Sequence, residues 1–156
     1  MIGHLGFSYI GFIFMLMLLI PNVIWTRNKP KEYDPSIEDK LLSLLERIGQ
    51  ILCTTTVLFF NDFNPKIFEV WILWLFLSVA LMILYEIYWI RYFKSNKTLH
   101  DFYRSFLFIP LPGATLPVVA FFLLGIYGKV IWLIISSIIL GVGHIGIHLK
   151  HLKRLK

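Results

Sequence analysis

Cysteine occurs once in this chain, at Cys53. A single thiol excludes an intrachain disulfide and any metal site built from thiols alone, and it reads as a small apolar packing group. Charge is scarce: 15% of the residues are charged and 58% are hydrophobic. That balance excludes an ordinary soluble domain and points to a polytopic helical membrane protein. Several chemistry-bearing motifs are missing as well. The chain has no Gly-rich phosphate loop, no nucleophile elbow, no Cys-x-x-Cys pair and no lysine inside an apolar run that could carry a retinal Schiff base; Lys66 and Lys129 stand only at boundaries. These absences set aside the commonest nucleotide, acyl-transfer and dithiol chemistries. No motif names a cofactor, which stays unknown, and no metal site is assigned.

Acidic residues are also few, 9 against 15 Lys and Arg, for a net charge of +6. In a soluble protein that excess suggests nucleic acid. Here its placement in short loops explains it more simply, and no nucleic-acid partner is expected.

What the sequence does contain is apolar length. Five segments, at about 5–25, 41–60, 67–92, 105–127 and 130–149, are each long enough to cross a bilayer. The expected fold class is all-α: an integral membrane protein forming a bundle of five transmembrane helices, in one transmembrane domain over 1–156. No basic stretch precedes the first segment and no small-residue cleavage pattern ends it, so it reads as a retained helix, not a signal peptide. Ser36 followed by Asp39 marks a helix start before the second segment. Asn64 and Pro65 read as the cap and first position of the third, with Glu69 in its first turn. Residues 125–129, Gly-Ile-Tyr-Gly-Lys, read as a tight turn before the fifth.

Basic residues alternate between the loops. Lys and Arg number four in 26–40, one in 61–66, four in 91–104, one at the turn around Lys129 and four after Leu149. The rich segments all fall on one side of a five-span chain. The positive-inside rule makes that side cytoplasmic: a multi-pass protein of the cell membrane with its N-terminus outside and C-terminus inside. The partners expected are the lipid bilayer, with anionic lipid at the basic loops, and a small lipophilic ligand. A homo-oligomer fits a bundle that encloses so little volume.

This topology puts the polar residues of five segments at one depth. Asn22, Glu46, Gln50, Glu86, His144 and His148 all fall in the inner half, level with a break expected in the fourth segment between Pro110 and Pro117. Prolines there remove backbone donors, and in lipid the freed groups need partners in protein or a wet cavity. Intramembrane ionisable groups are costly and usually face such a cavity. Ser137, Gly141, His144, His148 and His151 share one helix face, small at one end and histidine-bearing at the other.

The candidate ligand-binding residues are therefore Glu46, Gln50, Glu86, Tyr88, Trp89, Pro112, Gly113, His144 and His148, with Tyr103 joining Tyr88 and Trp89 at the mouth. The function they suggest is binding or transport of a small lipophilic or amphipathic ligand in a cytoplasm-facing polar cavity. Two other readings use the same residues. One is a membrane-embedded enzyme acting on a lipid or lipid-soluble substrate with His144, His148 and a carboxylate. The other is a regulatory or structural subunit in which the polar groups stitch helices together, as Glu86 would by pairing with Arg47, Arg91 or Arg104.

Overall fold

In the computed structural model, residues 2–65 and 70–154 are described. Expectations for Lys66, for the third segment's start at 67 and for Glu69 lie outside those residues, as does Lys156. The described chain is all-helical: α1 (Tyr9–Thr26), α2 (Lys40–Phe59), α3 (Leu73–Phe93), the short α4 (Leu99–Tyr103), α5 (Pro112–Gly128) and α6 (Ile131–Arg154). Four of these segments are long and apolar enough to cross a membrane, α3 being counted with the turn that leads into it from Val70; α5 is apolar but shorter, at 17 residues. The outer surface is apolar too. Leu16, Leu19, Ile20 and Val23 of α1, Ile48 and Ile51 of α2, Ile83 and Ile87 of α3 and Ile135 and Ile138 of α6 are all exposed. Faces of that kind need a lipid or protein partner.

Local chemistry sets where the helices begin. Asp39, not Ser36, caps α2: its carboxylate accepts from Leu41 and Leu42 N–H at 2.9 and 3.2 Å. Ser36 instead lies in a single 3-10 turn, Pro35–Ile37, where Pro35 takes the first position and Asp34 supplies the cap. Asn64 also serves a different helix from the one expected. Its Oδ1 accepts from Tyr9 N–H at 3.0 Å, covering a free donor in the first turn of α1.

The fourth apolar segment becomes helical only at Pro112. Phe106 and Ile109 pair across a tight turn, and Leu107, Phe108 and Leu111 have positive φ. Pro112 opens α5 at a position where its missing N–H costs nothing. At the far end α5 runs through Gly125 to Gly128, so the turn is only Lys129 and Val130. Lys129 is left-handed, and Val130 N–H reaches back to the Gly125 carbonyl at 3.1 Å, closing the helix end.

The short helix α5 lies at the centre, with nine of its 17 residues buried. It packs between α3 and α6, while α6 lies most extensively along α2. The α2–α6 contact is made by backbone. A methyl group added at Gly143 would run into the backbone of Leu42 and Glu46, and one at Gly49 into that of Leu140. In lipid, close approach of this kind is a main source of helix association, because burying apolar surface gains little there. It also fixes the register that sets Glu46 beside His144.

Candidate functional site

Gly143 rides on Glu46, and the next residue, His144, turns its ring to the Glu46 carboxylate: His144 Nδ1 contacts Glu46 Oε1, with both side chains about a quarter exposed or less. One helical turn on, the His148 ring stands edge-on to His144, centroids 4.7 Å apart. His148 Nδ1 is 3.1 Å from the hydroxyl of Tyr103, which α4 brings in from the loop after α3. Thr98 and Asp101 hold α4 in shape by capping each other's backbone N–H. Last on this face of α6 is His151. It stacks on Tyr33 at 4.9 Å and lies 3.5 Å, Nε2 to Oε1, from Glu38. Tyr33 donates its hydroxyl to Glu38 at 2.9 Å. Burial first, then that carboxylate, push the Tyr33 phenol up, and burial does the same to Tyr103. Both stay protonated near neutral pH.

These groups border a cavity of about 190 Å³. Its polar lining is Asn22, Glu46, Gln50, His144 and His148; its aromatic lining is Trp25, Tyr33, Tyr88, Trp89, Phe102 and Tyr103. Gly113 completes a wall by letting the Tyr88 ring lie against the start of α5, where a Cβ would meet it. Tyr88 is fully buried and donates to the Phe102 carbonyl at 2.9 Å, which ties α3 to α4. Asn22 donates to the Leu18 carbonyl and to the Tyr85 hydroxyl at 2.7 and 2.8 Å. Gln50 makes no side-chain hydrogen bond among the described residues and lines the space with its amide free.

A second cavity, about 340 Å³, lies against the first, and Asn22, Gln50, Gly113 and His144 line both. Its walls are mainly apolar, including Met15, Leu18, Leu19, Val118, Phe121 and Leu140, with Pro117 of α5 among them. The pair gives a polar, aromatic chamber opening onto an apolar one.

Of the residues singled out in the sequence, Glu46, Gln50, Tyr88, Trp89, Gly113, His144 and His148 line the polar cavity together. Pro112 is buried beside it, but its neighbours Leu111 and Gly113 form the wall. Glu86 lines neither cavity. It sits one position round the helix from the inward-facing Tyr85, and its Oε1 is buried with no hydrogen-bond partner. It has no ion pair among the described residues. Arg91, one of its expected partners, instead donates to the carbonyls of Ser105 and Arg104 at 3.0 and 2.8 Å.

Three aromatic positions escaped the sequence-based candidate set, Trp25, Tyr33 and Phe102, while Tyr103, expected at the mouth of the site, lines the cavity with them. Aromatic residues at segment ends read as interfacial anchors, and only the folding back of two loops brings these four to one place. Among the described residues no group of three or more His, Cys, Asp or Glu is placed to hold a metal ion. No protein-family model matches this chain, and no curated protein or solved structure matches it.

Proposed function

We propose that this chain is a five-span protein of the cell membrane, N-terminus outside and C-terminus cytoplasmic, that binds or transports a small amphipathic ligand. Helix α5 is the span added to the four long helices. At 1.5 Å per residue it is roughly 26 Å long, a little short of a hydrocarbon core of about 30 Å. Its enclosure by α3 and α6 relieves it of matching the lipid thickness, and the exposed Leu107 and Phe108 extend the apolar surface at its start. The distribution of Lys and Arg supports the orientation. A reporter fused after Lys156 is then active in the cytoplasm and silent outside; the reverse overturns the topology.

One observation carries the ligand reading: a polar chamber and an apolar chamber share Asn22, Gln50, Gly113 and His144. A molecule with a polar head and an apolar body fills both, placing the head between Glu46, Gln50 and the histidines. Ligand sites are commonly apolar clefts with a few convergent polar groups, and this one follows that pattern. Mass spectrometry of the protein purified in mild detergent tests it. A small amphiphile is expected to survive purification, and to be lost from Gln50→Ala and from Gly113→Leu, which fills the shared wall. Equal retention by both variants removes the site from these cavities.

The Glu46–His144 contact also favours a second reading, an enzyme using that pair for acid–base work on a lipid headgroup. Conversion of an added lipid by wild type but not by His144→Ala separates it from the first.

A further inference from the structure

The chemistry of the polar chamber narrows the ligand further. Six aromatic side chains and one carboxylate, Glu46, line it, and no lysine or arginine does. The cations nearby are engaged elsewhere. Arg91 is held on two backbone carbonyls, and Lys29 lies over the Trp25 ring with its ammonium 5.0 Å from the centroid. Lys29 shows what this wall takes: an ammonium on an indole. Aromatic walls with a carboxylate are the usual receptor for ammonium and quaternary ammonium groups, because the ring faces are negative and the acid supplies the counter-charge. The adjoining apolar chamber suits the rest of such a molecule.

Glu46 already has a partner in His144. We propose that an organic cation with an ammonium head and an apolar body binds in the two chambers, its head beside the Glu46 carboxylate. This rests on the ligand-binding reading above and names its class. The other groups on this side are already paired, His148 with the Tyr103 hydroxyl and Glu38 with the Tyr33 hydroxyl and His151. Asp39 and Lys150, on the same side, close on each other at 2.8 Å. Arg47 is exposed and outside the lining.

Titration calorimetry of the detergent-purified protein tests this with benzyltrimethylammonium and its neutral carbon isostere, neopentylbenzene. The cation is expected to bind about tenfold tighter than the isostere or better. Glu46→Gln abolishes the preference for the cation while the isostere still binds, which also shows that the variant is folded. Glu46→Asp restores part of the preference. Equal binding of both probes, or a preference for the cation that survives Glu46→Gln, overturns the cation assignment and leaves the ligand-binding reading standing. Failure of both probes, with no amphiphile retained on purification, overturns both.

Discussion

The two ends of this bundle treat polar side chains in opposite ways. Where residues 4–9 meet residues 58–64, polar groups serve backbone. Asn64 accepts from Tyr9 N–H and donates to the Phe7 carbonyl at 3.1 Å. Asp62 accepts from the His4 N–H at 2.5 Å and meets the His4 ring at 2.8 Å. Backbone bonds from Gly6 to Phe59 and from Ser8 to Leu58 complete the seal, at 2.9 and 3.0 Å. At the other end Glu46, Gln50, His144 and His148 surround a space. There, among the described residues, Gln50 has a free amide and Glu46 engages one carboxylate oxygen with His144. A polar residue in an apolar chain is informative about function when the local backbone does not use it.

The largest blow to this contrast comes from Gly143. Gly143→Leu forces a side chain into the backbone of Leu42 and Glu46, where no flexible group can give way. The expected loss is about 1–3 kcal/mol, together with separation of Glu46 from His144. Thermal unfolding in detergent measures the first and probe binding the second. A variant that melts like wild type and binds as well would show that the close α2–α6 crossing does not organise the cavity.

A smaller effect, confined to the sealed end, is expected from Asn64→Ala. It strips a donor in the first turn of α1 of its acceptor, costing about 1 kcal/mol. Because Asn64 lines neither cavity, affinity for a bound amphiphile should not change. A drop in affinity equal to that of a cavity variant would mean that the two ends are not independent.

The sequence made one end far more legible than the other. His144 and His148 stand one turn apart, so helical spacing alone puts them on a common face, and charge alternation puts Glu46 and Asn22 at their depth. Local signals were less informative where a longer-range partner competed for the same group. Asn64 had the form of a cap for the helix that follows it, but the free N–H of Tyr9, 55 residues earlier, takes its oxygen. Ser36 lost α2 to Asp39 because Pro35 had already started a separate turn. Glu86 shows a limit of depth arguments. Its level in the bundle follows from its position along the segment, but its direction depends on which neighbour α3 packs against. In a segment apolar on every side no periodicity gives that. Part of the aromatic wall was hidden for a related reason, since Tyr33 lies in a loop and Phe102 in the five-residue α4, and their return to the bundle leaves no periodic trace.

The smallest expected effect concerns the outer edge of the cavity end, where Asp39 both caps α2 and meets Lys150 of α6 at 2.8 Å. The Lys150 ammonium, then the Leu42 and Leu41 N–H groups, hold the Asp39 carboxyl below the usual carboxylate range. A carboxyl depressed on folding stabilises the fold at pH above its unfolded value, about 3.9. That contribution is lost as pH falls through the lower, folded value. Stability in detergent should therefore be flat from neutral pH down to about 4 as far as Asp39 is concerned, and fall below it. Lys150→Met removes the largest cause, so the carboxyl rises towards its ordinary range and less stability is left to lose in acid. Melting temperatures of the two proteins between pH 2 and 6 check this: the gap between them should narrow as the pH drops, because acid removes from wild type what the substitution has already removed. A gap that holds constant to pH 2 would show that Lys150 acts through packing alone.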